Sequence, residues 1–279
     1  IKKEAISVSG ILYAPPNYLR MAMYLELSRP KGDVSRWEKV LKRLILLNKH
    51  HPLKGKNCNL IDIQRSFESN KVNEGDVYDM VKKALIDQGV VFFGGYANSL
   101  YSSHMPKYMR NSIKKIPDFD VLSEDPKTTA TIVKERLGYD GINNVTIKKH
   151  NAIGELVDEN YELSVDGETV AFIYRPNACH SYNILHTKYA KIKIATIDTM
   201  LSMYLAFLYS NRDYFEPDRI LCMAQYLFSV QQKNRLEQKG LLRRFSLSCY
   251  GKQDTLEDMR SAKAAKFEEL NGKRGTPEY

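Results

Sequence analysis

Val90-Val91-Phe92-Phe93-Gly94-Gly95-Tyr96-Ala97-Asn98-Ser99-Leu100 is followed, after a basic stretch, by Pro117-Asp118-Phe119-Asp120-Val121-Leu122. The first segment reads as a buried strand running into a Gly-Gly bend that opens a helix. The second reads as an apolar strand with carboxylates at i and i+2. Side chains in a strand alternate between faces, so Asp118 and Asp120 project the same way, about 6.6 Å apart at the usual rise. Two anions that close repel unless a cation lies between them. Gly94 and Gly95 let a ligand approach the main chain, and the helix start aims free N–H groups at a phosphate, with Ser99 offering a hydroxyl. A divalent metal beside a phosphate-binding bend points to nucleotidyl transfer. Mg2+ (or Mn2+) on Asp118 and Asp120 would activate an attacking hydroxyl and neutralise the departing pyrophosphate of ATP.

Working outward, the pattern predicts helices, then a small mixed sheet, then helices, which is an α+β arrangement. Three regions are expected: a mostly helical part over 1–74, a catalytic domain over 75–195, and a helical domain with a loose tail over 196–279. In the first, residues 19–27 alternate like a strand although their types favour helix, and their state is left open. Ser35 is positioned to cap a helix to about His50, and residues 51–74 read as loop with at most one short helix. Asp76 is positioned to cap another helix, which Gly89 stops. A helix is expected over 127–137 and a strand over 145–149. Asp166-Gly167 joins two strand-like runs, 161–165 and 168–174, as a two-residue hairpin turn. From Thr196 onward three helices are expected, over 200–208, 220–228 and 255–270.

The 279 residues carry a formal charge of +9, which favours a polyanionic partner. Two tracts concentrate it: Lys107, Arg110, Lys114 and Lys115, then Lys233, Arg235, Lys239, Arg243, Arg244 and Lys252. Basic tracts that flank or follow the site suggest nucleic acid. No apolar run approaches the roughly 18 residues of a membrane span, and no signal peptide is read. The chain begins at Ile1 rather than Met and reads as a piece of a longer protein. Cys58, Cys179, Cys222 and Cys249 form no CxxC pair. A reduced, intracellular protein without a disulfide framework or structural zinc is the expectation.

The Gly-Gly bend with Asp118-Phe119-Asp120 resembles the polymerase β-like nucleotidyltransferase superfamily. Longer segments are similar to the poly(A) polymerase catalytic subunit of large nucleocytoplasmic DNA viruses, of the mimivirus and African swine fever virus kind. These are Tyr24-Leu25-Glu26-Leu27-Ser28-Arg29-Pro30, Arg36-Trp37-Glu38-Lys39-Val40-Leu41, residues 117–126 and Tyr250-Gly251-Lys252-Gln253. The resemblance implies template-independent addition of AMP from ATP to RNA 3′ ends. It also implies a viral setting (host cytoplasm or virion) and a homodimer or partner subunit. Basic residues before the helix near Thr196 then correspond to triphosphate contacts, here Lys191 and Lys193. Tyr182 and Asn183 offer stacking and hydrogen bonding to a nucleoside.

Two departures stand out. The gap between Gly95 and Asp118, about twenty residues, is longer than usual for the superfamily, and surface insertions are cheap. The superfamily's third carboxylate falls on Ala171. A plain two-residue hairpin sets Val165 against Glu168 and Leu163 against Val170, which puts Glu162 opposite Ala171. Glu162 is therefore the expected third metal ligand. Alternatives are a nucleotidyltransferase acting on another acceptor, a glycosyltransferase, and a catalytically idle fold that serves as an RNA-binding or dimerising subunit.

Overall fold

An exposed hairpin, β1 (Ile6–Val8) with β2 (Ile11–Tyr13), opens the chain in the computed structural model. The structure describes residues 4–61, 67, 72–105, 110, 116–210, 212 and 214–275. Helices α1 (Pro16–Leu27), α2 (Trp37–His50) and α3 (Glu74–Asp87) lead to β3 (Val91–Phe93) and α4 (Gly94–Tyr101). Then come β4 (Phe119–Leu122), α5 (Pro126–Tyr139), β5 (Val145–His150), β6 (Asn160–Val165), β7 (Glu168–Tyr174), β8 (His180–His186) and β9 (Lys191–Ala195). Helices α6 (Ile197–Phe207) and α7 (Pro217–Lys233), strand β10 (Cys249–Tyr250) and helix α8 (Leu256–Gly272) complete the order.

Eight strands form one sheet in the order β10-β8-β9-β3-β4-β7-β6-β5. β3 is parallel to β9 and β4 to β7, and the remaining neighbours are antiparallel. The α+β class and mixed sheet are as expected, but the sheet is larger than anticipated and takes in β10 from the C-terminal part.

Alternation explains how the layers assemble. Phe92 and Phe119 face one side, where Phe119 stacks on Tyr78 of α3 at 4.9 Å and Phe92 meets Tyr96 of α4 at 5.0 Å. Val133 and Leu137 of α5 are also buried. Phe93 and Tyr174 face the other side, where both rings meet Phe207 of α6, at 6.4 and 5.6 Å. Every residue of α6 is buried, and α1 packs across it. Its mostly apolar sequence suits such a place, and its buried Asp198 is paired with Arg244.

The stretch left open at 19–27 is helical. Arg20, Met21, Tyr24 and Leu27 of α1 are buried while Leu19 is exposed, so the helical period overrides the apparent alternation. Ser35 does not cap α2. It lies in a 3-10 turn, Val34–Arg36, and donates to Asp33 Oδ1 at 2.5 Å. Asn73, not Asp76, caps α3 by accepting from the N–H groups of Gly75 and Asp76. Gly89 follows α3 with φ +65°, the left-handed stop that was expected.

The cysteines correct the sequence reading. Cys58 is bonded to Cys222 and Cys179 to Cys249, leaving no free thiol. The partners are 164 and 70 residues apart, and only the folded topology brings them together. No described helix is long and apolar enough to cross a membrane.

Candidate active site

β4 pairs with β3 so that Phe93 lies opposite Asp120, and the bend follows directly after Phe93. Gly94 has φ +72°, and a Cβ there would sit 1.9 Å from Asp120 Oδ2. A Cβ on Gly95 would meet Pro117 Cβ at 2.8 Å and Asp118 Oδ1 at 3.2 Å. Gly94 is therefore required by the approach of Asp120 as well as by the turn, and Gly95 by Pro117, with the Asp118 carboxylate close beside it. The bend and the carboxylates lie against one another.

Asp118, only 7 % exposed, and Asp120 line a common cavity with Phe172, Tyr174, Tyr204 and Arg219. The Tyr204 phenol is held far above its ordinary pKa by burial and by the negative charges of Asp120 and Asp118. It accepts a hydrogen bond from Asn98 Nδ2 at 3.0 Å. Asn98 is one turn beyond Gly94 on α4, so this bond fixes the helix that carries the bend. Asn98, Tyr204 and Arg219 escaped the sequence reading. Tyr204 falls within the apolar helix expected over 200–208, and Arg219 lies one residue before the helix expected from 220. The position of Asn98 one turn after Gly94 was the available signal.

Other expected site residues lie elsewhere. The β6–β7 hairpin turns at Asp166 (φ 53°) and Gly167 (φ 89°) as expected, but a bulge shifts the register after Ser164–Thr169. Leu163 then opposes Ala171 and Glu162 opposes Phe172. Glu162 is thus not opposite Ala171, because one extra residue in β7 moves the pairing. Since Phe172 in turn pairs with Asp120, Glu162 shares the aspartates' face at two strands' remove. Its carboxylate accepts from Thr169 Oγ1 at 2.6 Å, and His150 Nε2 lies 2.8 Å away. Burial raises the pKa of Glu162, but the bonds from Thr169 and His150 outweigh it and leave a net lowering. Among the described residues no three His, Cys, Asp or Glu side chains gather as a metal site.

Ser99 donates its hydroxyl to Tyr96 O at 2.6 Å, within its own helix. Lys193 pairs with Val91, at the far end of β3 from the bend. Its ammonium donates to Gly89 O at 2.9 Å and lies over the rings of Tyr250 and Tyr182. Lys191 is exposed and pairs with His186. Asn183 donates to Leu241 O and Arg243 O, which ties β8 to the C-terminal segment. Of the first basic tract, Arg110 bonds to Met105 O and Ser103 O. Lys107, Lys114 and Lys115 lie outside the described residues.

The architecture has a solved counterpart. The chain superimposes on the Megavirus polyadenylate synthase with a TM-score of 0.72, over 96 % of its own length. The fold is that of a viral polyadenylate synthase. Sequence identity is 14 %, and the match spans 56 % of the Megavirus chain, so the likeness is one of fold. No protein-family model matches the sequence, and no characterised protein matches it at the level of sequence.

Proposed function

We propose that the chain transfers AMP from ATP to RNA 3′ ends without a template, releasing pyrophosphate. The observation that carries this reading is the contact between bend and carboxylates, with Gly94 against Asp120 and Gly95 against Asp118. A triphosphate lying on the bend reaches both aspartates at once. Two carboxylates on one face fit Mg2+ or Mn2+, since such ions commonly take one or two protein carboxylates and complete their shell with water and phosphate. Bound there, the metal would acidify the attacking 3′-hydroxyl and offset charge on the leaving group.

The chain's own residues supply position and charge. The main chain at Gly94 and Gly95 cradles phosphate oxygens at the start of α4. Arg219 brings a permanent positive charge into the same cavity. Asn98 and Tyr204 hold α4 against α6 and keep the bend fixed relative to β4. Phosphoryl transfer depends mostly on such positioning and charge stabilisation.

A second reading is a catalytically idle relative that only binds RNA. Phe172 in register with Asp120, and Glu162 bonded to Thr169 and His150, favour it, because the third carboxylate is not with the other two. Incubation with each labelled nucleotide, Mg2+ or Mn2+ and oligo(A) separates the two. The enzyme extends the primer from ATP, and Asp118→Asn reduces extension by about a thousandfold, a loss typical of removing a main electrostatic element. Absence of extension with either metal, alongside RNA binding, overturns the catalytic reading.

A further inference from the structure

Beyond α7, the chain builds a second concave site away from the aspartates. Leu241, Leu242, Gln232, Arg235, Gln238 and Arg243 are among the residues that line it. None of its lining residues is acidic. Arg219 and Gln232 belong to the same helix, thirteen positions apart, so this site is about 20 Å along α7 from the aspartate cavity.

Arg244 organises the segment. Its guanidinium grips buried Asp198 through contacts of 2.8–3.0 Å and lies 5.5 Å from the centroid of the Phe245 ring. The charge of Arg244 is thereby matched, while Arg235 and Arg243 remain exposed. Phe245 does not line the cavity but adjoins it through Arg244; it leans on Trp37 of α2 at 5.6 Å yet keeps 38 % of its surface exposed. A held but accessible ring beside Arg244, two exposed guanidinium groups with no ion pair among the described residues, and side-chain amides make up the chemistry of single-strand recognition. Bases stack on the ring and phosphates meet the arginines. An acidic peptide would use the arginines but has no use for the ring.

We propose that this ledge binds single-stranded RNA upstream of the 3′ end, with phosphodiesters on Arg235 and Arg243 and a base on Phe245. The inference rests on the reading of the chain as an adenylyltransferase. It is tested by fluorescence anisotropy with labelled single-stranded oligoadenylate across a salt series. Arg235→Ala/Arg243→Ala weakens binding at least fivefold at low salt and makes the log–log salt slope shallower by about 1.4, or roughly 0.7 per lost phosphate contact. Phe245→Ala weakens binding about fivefold or more while leaving the slope as it was, and Phe245→Tyr restores it. Circular dichroism establishes that the variants are folded.

An unchanged slope in the double variant, or wild-type affinity in Phe245→Ala, overturns the ledge. So does binding of duplex RNA as tight as that of the single strand. Primer extension by the wild type separates this inference from the reading beneath it. Extension with variants that bind like wild type removes the ledge alone. No extension with variants that lose RNA removes the catalytic reading and leaves the ledge standing.

Discussion

Gly94 and Asp120 approach so closely that a single methyl group on the glycine would lie 1.9 Å from the carboxylate oxygen. No rotation relieves this without moving Asp120, because the same glycine carries φ +72° and opens α4 directly after β3. Gly94→Ala therefore displaces the carboxylate as well as straining the backbone. Primer extension should fall by about a hundredfold, the loss expected when a reacting group shifts by about an ångström. Gly10→Ala is the reference, since its φ is +79° with no atom within 4 Å of the added Cβ. It should cost about 1 kcal/mol of backbone strain and no activity.

Glu162 is expected to act as scaffold. Its carboxylate joins β6 to β7 through Thr169 and to β5 through His150. Glu162→Ala should lower stability in urea by about 1.5–3 kcal/mol, the scale for hydrogen bonds to a charged group. Primer extension at a temperature where the variant is folded should change less than about threefold, far below what loss of a metal ligand produces. A drop of orders of magnitude would instead give Glu162 a part in the chemistry.

The parts of the site legible in the sequence were local ones. A strand, a glycine bend and a DxD strand are contiguous patterns, and β3, α4 and β4 appear where they were read. The hairpin turn at Asp166-Gly167 was equally legible. The register beyond it was not, because a bulge inserts one residue without any change in alternation that a reader can see. Tyr204, Arg219 and the two cysteine pairs were invisible for a different reason. Each matters through a partner brought close by topology, such as Asp120 for Tyr204 and Cys222 for Cys58. Lys193 shows the converse: a charge near the right element in sequence stands at the wrong end of the strand in space.

Two disulfides close long loops, of 164 and 70 residues. Cross-links of that length restrict the unfolded chain, and each contributes about 2–4 kcal/mol. Thiol titration of the denatured, unreduced protein should find no free cysteine, and four after reduction. Reduction should lower the melting temperature by roughly 5–15 °C for a chain of this size. Cys179→Ser/Cys249→Ser should also loosen β10, which pairs with β8 beside that bond. Faster amide exchange at Tyr250 and its neighbours would report it.

His180 supplies the clearest dependence on pH. The side chain is fully buried at the start of β8, with Nε2 2.7 Å from Asn177 Oδ1. Burial, followed by the positive charge of Arg29, pushes its pKa down to about 3, whereas an unfolded histidine titrates near 6.5. Between those values the unfolded chain binds a proton that the folded chain refuses. The contribution of neutral His180 is thus complete above about pH 6.5 and diminishes as the pH falls toward 3. Each unit below 6.5 costs about 1.4 kcal/mol, or roughly 2 kcal/mol by pH 5. Urea unfolding at pH 7 and pH 5 should show this loss in the wild type. His180→Gln should flatten the profile by the same amount, whatever its absolute stability, because glutamine has no proton to gain. Parallel profiles for the two proteins would mean that His180 takes up a proton as readily when folded as when unfolded.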